Sequence, residues 1–449
     1  EYDSVICQSS EPLCTVNGLN LGVHHINLTV TDEDQIERSN QVIVNGNNNV
    51  PVADAGEDIT INFGESMTLD GSGSYDSDGQ IVKYIWQKGG TVLCQGVTPI
   101  CVLDEPQAGR HTFSLVVQDD AGVSSVDYIN VTVNNEAVFL GSINTPSLLT
   151  DVKLSPDGTI AYLADAYRAD YASGLLVVDV SDPTTPRFIG QYYTPGDARN
   201  LVLSPDGTTV YIADTDSGLQ IVDVKDPSKP FLLSSYDTDG YAFDITLSAD
   251  GTMVYIADGS KGLKIIDVSN ATTPHLIGNI KDFGRYGYAI SVKLSADGRH
   301  AFVIDRVFGL QIIDISDPSS PYVIRTFAFQ NGWMTDIMLS QNETVAYISS
   351  YPSLRIIDLS DVTSPSVLGS LNIGSSAGVL VNNNVVFASN GHNGVTFIDV
   401  SNSTAPKVLS TFDTSGGAIN TTLSSDGNTL FVADGTSGLQ ILDVSAFNH

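Results

Sequence analysis

A short apolar segment recurs seven times through the last two-thirds of the chain, and it constrains the fold more than any other feature. The clearest copy is GLQIVDVKDPSKP at residues 218–230. Related copies begin at Gly174, Gly262, Gly309, Ser353, Gly394 and Gly438, with successive starts 41–47 residues apart. Self-similarity at such a period predicts a repeat architecture, in which each unit buries its apolar faces against its neighbours.

Each repeat contains four short apolar segments separated by turns. In one unit they are ARNLVLS, TVYIAD, GLQIVDV and FLLSSY. Four strands in about 44 residues are typical of a propeller blade, and no window has the period of a helix. A further strand, AVFLGSI at residues 137–143, precedes the first unit, and the last unit lacks its outer strand. The sequence therefore predicts a seven-bladed β-propeller over residues 136–449, closed by this N-terminal strand.

The four cysteines reveal a second, longer repeat near the N-terminus. The segment VICQSSEPLC from residue 5 aligns with VLCQGVTPIC from residue 92. Two matched pairs, Cys7 with Cys14 and Cys94 with Cys101, in a chain with no other cysteine predict disulfides formed in an oxidising compartment. A zinc site is the alternative, but no histidine or further cysteine has suitable spacing nearby.

The complete copy of this repeat reads as a small β-sandwich. Its alternating segments are ITINF, SMTLDGSG, IVKYIWQ, HTFSLVVQD and SVDYINVTV. They predict an immunoglobulin-like domain over residues 49–135, preceded by the C-terminal part of a second such domain at residues 1–48. Either the missing strands of that first copy were removed, or another chain supplies one by strand donation. The predicted fold class is all-β throughout.

Two segments resemble known families of surface proteins. The stretch ADAGEDITINFGESMTLDGSGSYDSDGQIVKYIW resembles the polycystic kidney disease (PKD) domain, although Trp86 is followed by Gln-Lys-Gly instead of the usual acidic turn. The core GLQIVDV-S-D-P-x-x-P resembles the LVIVD repeat of secreted and surface proteins of bacteria and archaea. The PKD resemblance implies display or spacing rather than chemistry. The LVIVD resemblance implies a β-propeller and little about activity, because propellers host unrelated functions.

The PKD resemblance also implies a calcium site. In some members of that family an Asp-x-Asp-Gly loop binds calcium, and the matching residues here are Asp76, Asp78 and Asp119. Hard oxygen ligands from two loops suit calcium better than a transition metal. The alternative is a plain turn rich in Asp, which is a common turn residue.

The charge of the chain excludes several classes of partner. Lys and Arg total 20 against 52 Asp and Glu, which gives a net charge of −32. Nucleic-acid binding requires the opposite sign, and an anionic membrane surface would repel this chain. No apolar run is long enough to cross a membrane. Together with the cysteine pairs, these features predict an extracellular or cell-surface protein.

A propeller has two unlike faces, and the sequence favours one of them for binding. The A–B and C–D turns, which we call the turn face, are short and repetitive. The B–C and D–A loops, which we call the loop face, are irregular and rich in aromatic and Arg residues, which are enriched in interfaces. The candidates are Tyr167, Arg168, Tyr171, Tyr193, Tyr241, Phe243, Arg285, Tyr286, Tyr288, Phe308, Trp333 and Tyr351. Alternatively, several of them cap the core.

Six N-x-S/T sequons are candidate glycosylation sites: Asn27, Asn130, Asn270, Asn342, Asn402 and Asn420. In the repeat alignment three of them, Asn270, Asn342 and Asn402, replace turn Asp residues and fall on the turn face. The alternative is that Asn simply substitutes for Asp in a turn. Asn420 begins an inner strand, where we expect too little room for a sugar.

Polar residues recur at one inner-strand position: Asp151, Asn200, Asp244, Ser291, Asp336 and Asn420. We interpret them as turn caps, with a channel site for a cation or water as the alternative.

No catalytic motif is present in the sequence. We therefore predict a structural or adhesive protein, a surface-layer or filament subunit or an adhesin, with the propeller as the interaction head. Its partner is predicted to be a protein, a glycan or another copy. A secreted hydrolase or lactonase-like propeller enzyme acting at the channel mouth is the alternative.

Overall fold

The computed structural model describes residues 5–11, 13–16, 22–63, 65–104, 109–166, 173–281, 283–329, 333–374 and 376–448. The chain forms two compact units, residues 1–61 with 65–133 and residues 62–64 with 134–449. Across the described residues both units consist of β-strands, apart from one short 3-10 turn. The predicted all-β class is confirmed.

The first unit contains a hairpin and a two-sheet sandwich. Its strands are β1 (Gly22–Thr31), β2 (Glu37–Gly46), β3 (Ile59–Asn62), β4 (Met67–Asp70), β5 (Ile81–Lys88), β6 (Thr91–Gly96), β7 (Ile100–Leu103), β8 (Gly109–Asp119) and β9 (Ser124–Asn134). The sheets have the strand orders β3-β9-β8-β5-β6 and β4-β7, and β1 pairs with β2. Trp86, Phe113 and Leu115 are buried in the sandwich core. The indole N–H of Trp86 donates to the Pro99 carbonyl at 2.9 Å.

Both predicted disulfides are confirmed, Cys7–Cys14 and Cys94–Cys101. The second connects β6 in the larger sheet to β7 in the smaller one. The sequence did not predict β6 and β7, because they are short and their alternation is interrupted by the cysteine turn. The hairpin strands β1 and β2 match β8 and β9 in the residue offset that relates the two cysteine pairs.

The second unit is the propeller, with seven four-stranded antiparallel sheets. Its strands are β10 (Val138–Ile143), β11 (Leu148–Leu154), β12 (Ile160–Ala166), β13 (Gly174–Asp179), β14 (Arg187–Tyr193), β15 (Asn200–Leu203), β16 (Thr209–Ala213), β17 (Leu219–Asp223), β18 (Phe231–Tyr236), β19 (Asp244–Leu247), β20 (Met253–Ala257), β21 (Leu263–Asp267), β22 (His275–Ile280), β23 (Ala289–Leu294), β24 (His300–Asp305), β25 (Gly309–Asp314), β26 (Tyr322–Phe327), β27 (Trp333–Leu339), β28 (Val345–Tyr351), β29 (Ser353–Asp358), β30 (Ser366–Asn372), β31 (Val379–Asn382), β32 (Val385–Ser389), β33 (Val395–Asp399), β34 (Lys407–Phe412), β35 (Asn420–Leu423), β36 (Thr429–Ala433) and β37 (Leu439–Asp443). Blades 1 to 6 are β11–β14, β15–β18, β19–β22, β23–β26, β27–β30 and β31–β34, with strands A to D in chain order.

Neighbouring blades cover one another, and this explains the weak alternation of their sequences. The B and C strands β16 and β17 are buried at every position. The apolar clusters join two blades, as where Val177 of blade 1 packs with Leu201 and Ile212 of blade 2. A strand covered on both faces reads as a continuous apolar run, which is the pattern of the repeat.

Blade 7 is closed by strand exchange, as predicted. Its sheet order is β10-β37-β36-β35, so the strand that precedes blade 1 becomes the outer strand of the last blade. The register runs from Val138 opposite Asp443 to Ile143 opposite Leu439. After β37, the 3-10 turn Ser445–Phe447 places the Phe447 ring on Phe397 of blade 6, with 4.3 Å between centroids. The predicted seven-bladed propeller is confirmed.

A glycine in the D strand lets the next blade approach closely. A Cβ on Gly141 would lie 2.5 Å from the Pro183 carbonyl oxygen in the C–D turn of blade 1. Gly190, Gly278 and Gly369 face the C–D turns of blades 2, 4 and 6 in the same way. Any side chain here must push backbone away, so these glycines set the spacing between blades.

Replacing such a glycine is therefore expected to destabilise the propeller. A Cβ at Gly190 would collide with the Pro227 carbonyl. We expect Gly190→Ala to cost about 1–3 kcal/mol of unfolding free energy, the range for overpacked sites. The matched control is Gln191→Ala on the next, exposed residue, which should change stability by about 0.5 kcal/mol or less. Urea unfolding measures both, and equal midpoints would contradict the spacing role.

Candidate partner-binding site on the loop face of the propeller

Six of the twelve predicted contact residues lie on loops between blades 2 and 3, between blades 3 and 4, and within blade 4. Tyr241 and Phe243 lie between β18 and β19, Arg285, Tyr286 and Tyr288 between β22 and β23, and Phe308 between β24 and β25. Tyr193 ends β14, Trp333 begins β27 and Tyr351 ends β28. Tyr167, Arg168 and Tyr171 lie outside the described residues.

Four side chains form a continuous row, which we call the aromatic strip: Tyr241, Phe243, Tyr288 and Arg306. The Phe243 ring centroid is 6.4 Å from that of Tyr241 and 5.4 Å from that of Tyr288. The Arg306 guanidinium lies 5.8 Å from the Tyr288 centroid, a cation–π distance. Phe243 and Tyr288 are half-buried against the core, whereas Tyr241 is 51% exposed. The strip therefore has both supported and exposed rings.

The loop at residues 283–288 extends this surface. Tyr286 is 69% exposed, with the Arg285 guanidinium 5.6 Å from its ring centroid. The loop packs on Phe308, because a Cβ on Gly284 would lie 2.8 Å from that ring. This D–A loop falls within the longest repeat of the chain, and insertions in repeat proteins often map to the binding face.

Two further exposed aromatic residues lie side by side in blade 5. Trp333 at the start of β27 is paired with Tyr351 at the end of β28, and they are 72% and 62% exposed. Tyr193 is 54% exposed in blade 1 and takes no part in the ring contacts of the strip. The structure therefore brings the predicted residues of blades 3 and 4 into contact and leaves Tyr193 apart from them.

A buried carboxylate holds two of these loops in place. Asp305, fully buried, accepts backbone N–H groups from Tyr288 at 2.6 Å, from Val307 at 2.8 Å and from Phe308 at 2.7 Å. One side chain therefore holds the backbone of both loops through three hydrogen bonds. The loops are thus preorganised, which lowers the entropic cost of binding. Sequence reasoning missed Asp305, although an Asp ends strand B in most repeats.

Four other blades also have a buried carboxyl group at the end of strand B, beneath the loop face. These residues, each 0–1% exposed, are Asp165, Asp214, Asp258 and Asp434. Gly196 N–H donates to Asp214 at 2.8 Å and the Thr238 hydroxyl to Asp258 at 2.6 Å. Burial raises the pKa of Asp165 to about 7, of Asp214 to about 6 and of Asp258 to about 7. Asp165, Asp214 and Asp258 therefore titrate near neutral pH.

The inner-strand polar residues tie neighbouring blades together. Asp151 accepts the Leu201 N–H of the next blade at 3.2 Å, Asp244 that of Val292 at 2.8 Å, and Asp336 that of Val379 at 3.0 Å. The interpretation as turn caps was therefore incomplete, because it considered contacts within one blade only.

Two lysines form ion pairs with carboxyl groups of these inner-strand residues, which we call the inner ring. Lys153 Nζ donates to Asp151 at 2.7 Å, and Lys293 Nζ donates to Asp244 at 3.2 Å. Burial alone would lower the pKa of Lys293, but the carboxylates of Asp244 and Asp336 raise it above its ordinary value. The carboxylates thus have donors from the protein itself, an arrangement that suits a structural role.

The acidic loop of the first unit brings the carboxyl groups of Asp76, Asp78 and Asp119 close together. Asp78 accepts the Asn49 N–H at 3.0 Å, and Asp119 accepts Asn48 Nδ2 at 2.7 Å. Both oxygens of Asp76 are shielded from solvent, and the backbone N–H and the carboxyl group of Asp78 lie within hydrogen-bonding reach of them. Burial and the nearby carboxylates of Asp78 and Asp119 raise the pKa of Asp76. Within the described ranges no three His, Cys, Asp or Glu side chains are arranged to hold a metal ion. The calcium site stays a prediction.

The substitution Asp76→Asn distinguishes the two interpretations of this loop. With a chelator present, we expect the variant to melt at a higher temperature, because it removes the repulsion between the Asp76 carboxylate and those of Asp78 and Asp119. If calcium binds, adding it should stabilise the wild type and reverse the order of the two melting temperatures. Asp54→Asn, on an exposed carboxylate outside this group, controls for loss of charge. A lower melting temperature of Asp76→Asn in chelator would contradict the repulsion.

The sequons fall into two structural groups. Asn270, Asn342 and Asn402 lie in exposed turns of the turn face. The others lie in strands: Asn27 accepts Gln41 Nε2 at 2.9 Å, Asn130 donates to Asp58 at 3.1 Å, and Asn420 donates to Asp151 at 2.7 Å.

Comparison with known families agrees with this architecture. The LVIVD repeat model matches residues 162–194, 195–238, 239–282, 286–328, 334–372, 373–414 and 421–448, which is more than half of the chain and one match for each blade. The chain belongs to the LVIVD-repeat family. A second model, which describes a PKD domain, matches residues 55–133 in front of the LVIVD propeller.

Known proteins with similar sequence match only part of this LVIVD-repeat chain. The human dyslexia-associated protein KIAA0319 is 38% identical over 135 residues, covering 28% of this chain and 12% of that protein. The rat homolog is 37% identical over 139 residues, covering 28% of this chain and 13% of the homolog. The chain thus spans about an eighth of the length of these relatives. Both are mammalian, so they lend no support to the expected bacterial or archaeal origin.

Solved structures similar to the LVIVD propeller share its fold. Hydrazine synthase of Kuenenia stuttgartiensis superposes with a TM-score of 0.57 at 14% identity, covering 68% of this chain and 98% of that one. The β-propeller domain of Cps50 (Swd1) from Myceliophteria thermophila gives 0.57 at 12% identity, covering 69% and 100%. At this identity the likeness shows the propeller fold alone.

The PKD-like domain and the LVIVD repeats indicate a cell-surface or extracellular protein of the adhesion type. In the part of the chain that the structure describes, no helix is long and apolar enough to span a membrane.

Proposed function

We propose that this chain is an extracellular adhesive or structural protein whose LVIVD propeller binds a protein or glycan through its loop face. The observation that carries the proposal is the group of exposed aromatic residues on that face: Tyr286 is 69% exposed beside Arg285, and Trp333 is 72% exposed beside Tyr351. Tyr, Trp and Arg are the residues that most often dominate binding energy. Large exposed rings otherwise cost solubility.

We propose a binding role rather than catalysis. The inner-ring carboxylates Asp151, Asp244 and Asp336 accept bonds from backbone N–H groups and lysines of the protein. A general acid or base needs an atom available to substrate. A subunit of a surface layer or filament is the finer form of the proposal, in which the partner is another copy.

Adhesion of beads coated with the full chain tests the proposal. The probes are uncoated beads, beads coated with the same chain and an array of extracellular polysaccharides. We expect the double variant Tyr286→Ala, Trp333→Ala to lose at least tenfold in binding affinity, because loss of even one hot-spot side chain costs about 2 kcal/mol and about 1.4 kcal/mol corresponds to tenfold. The matched control is Tyr322→Ala on outer strand β26, also an exposed tyrosine. Equal loss with Tyr322→Ala would contradict the assignment to the loop face.

Electron microscopy of the protein from its source, with and without a chelator, tests the assembly form. Ordered fibres or sheets that loosen on chelation would support a filament or layer subunit that uses calcium. Isolated molecules unchanged by the chelator would contradict assembly and leave adhesion to a foreign partner.

A further inference from the structure

Three sequons of the turn face share one local structure. The Oδ1 atoms of Asn270, Asn342 and Asn402 each accept the hydroxyl of the Thr two residues later, at 2.8, 3.0 and 2.8 Å. Each Oδ1 also accepts the backbone N–H of that Thr, at 3.1, 3.3 and 3.1 Å. The same side-chain oxygen thus closes an Asx turn in three different blades.

This turn leaves the amide nitrogen available. The Asn bonds above use only the carbonyl oxygen, and within the described residues Nδ2 of none of the three donates a hydrogen bond. All three residues are exposed. A substituent on Nδ2 would therefore extend into solvent without breaking the turn that the oxygen holds.

The sequon at Asn420 has the opposite environment. Its Nδ2 donates to Asp151 Oδ1 at 2.7 Å, and Asp151 is fully buried between the inner strands. A sugar on this nitrogen would break that bond and would have to fit among the inner strands of the propeller, which are closely packed. A glycan here is incompatible with the folded propeller.

We propose that Asn270, Asn342 and Asn402 carry N-linked glycans and that Asn420 does not. In the transfer step, Asn Nδ2 bonds to the anomeric carbon of a lipid-diphosphate-linked oligosaccharide. The lipid diphosphate leaves and the nitrogen loses one proton. The glycans then cover the turn face at blades 3, 5 and 6, so a partner is directed to the loop face. The proposal does not depend on the proposed function.

The repeats supply matched variants that remove a sequon and keep its turn. Asp182 occupies the position of Asn270 and Asn402 in blade 1, and accepts the Thr184 N–H at 3.0 Å and hydroxyl at 2.6 Å. Asp157 does the same at the position of Asn342, accepting the Thr159 N–H at 3.1 Å. Asn270→Asp, Asn342→Asp and Asn402→Asp should therefore fold like the wild type.

The test is peptide mapping of the full chain secreted from eukaryotic cells. Enzymatic removal of N-glycans in ¹⁸O-labelled water converts each glycosylated Asn to a labelled Asp, which mass spectrometry locates. We expect label at the three turn sequons and none at Asn420. Each Asn→Asp variant should lose the mass of one glycan at an unchanged melting temperature. The substitution Thr422→Ala, which removes the sequon at Asn420, should cause no loss of glycan mass.

Two results would overturn the proposal. One is label at Asn420 in the folded, secreted chain. The other is absence of label at the turn sequons, with unchanged mass of all three Asn→Asp variants.

Discussion

A propeller that begins after β10 is expected to lose most of its stability. Five residues of β10 pair with β37, and Leu140 and Ile143 pack on the core between blades 7 and 1. Because a hydrogen bond contributes about 1 kcal/mol net, we expect a loss of about 5 kcal/mol of unfolding free energy. This is comparable to the total stability of many domains, which is about 5–15 kcal/mol.

The measurement compares two truncated chains by urea unfolding. One begins at Asn134, the first residue after the first unit, and keeps β10; the other begins at Thr145 and lacks it. The chain from Asn134 should unfold cooperatively, whereas the chain from Thr145 should unfold at much lower urea or aggregate through the exposed edge of β37. If both chains had the same midpoint, strand exchange would not hold the ring closed.

The second large effect is a dependence of stability on pH near neutrality. Asp165, Asp214 and Asp258 have folded-state pKa values of about 6 to 7, whereas their ordinary value is 3.8. Between pH 4 and 7 the folded chain therefore binds protons that the unfolded chain releases. By linkage, the unfolding free energy falls as pH rises through this window and levels off above about pH 7.

The carboxyl groups of the turns affect the unfolding free energy at lower pH, and there stability rises with pH. Hydrogen bonds from Ser155 and Thr159 hold the pKa of Asp157 below its ordinary value, and Asp206 and Asp250 are held in the same way. Their contribution is present above pH 4 and is lost as pH falls through their folded pKa. We therefore expect maximal stability near pH 4–5, with a decline on both sides.

The substitution Asp214→Asn isolates one member of the upper group. Asn390 occupies this position in blade 6 and donates to the Ile373 carbonyl at 2.6 Å, so the amide fits the site. The difference between a pKa of 3.8 and one of about 6 corresponds to about 3 kcal/mol. We therefore expect the substitution to raise the unfolding free energy by up to that amount at pH 7.5 and to leave it unchanged at pH 4.

Thermal melts from pH 4 to 8 check this prediction. Repeating the melts at high salt distinguishes the effect of the buried carboxylate from that of repulsion among surface acids, because salt screens the surface charges much more strongly. A variant with the same pH slope as the wild type would contradict the assignment to Asp214.

The repeat made most of the fold predictable. The period of GLQIVDV and the unpaired strand at residues 137–143 were enough for blade number and closure, because every blade uses the same ladder of hydrogen bonds. The disulfides followed from two matched pairs of Cys residues. The short strands β6 and β7 did not, because four to six residues carry too little alternation to be recognised.

The site was less predictable, because its contacts join residues far apart in sequence. Composition alone indicated the aromatic residues of the loop face. The contact of Phe243 with Tyr288 depends on the packing of two neighbouring blades, and the N–H groups that Asp305 accepts come from two separate loops of blade 4. An Asp at the end of strand B reads in sequence as a turn residue. Its burial becomes visible only once the D–A loop is in place.

Closure by β10 also determines the order in which the propeller can fold. Phe139, in the first propeller strand to be synthesised, pairs with Leu442, in the last. Contacts so distant in sequence form slowly, because the closure entropy of the intervening chain opposes them. During synthesis the blades can form one after another, while β10 remains unpaired and its backbone N–H and C=O groups stay exposed. A nascent chain of this type is therefore exposed to mispairing with neighbours until β37 has been synthesised.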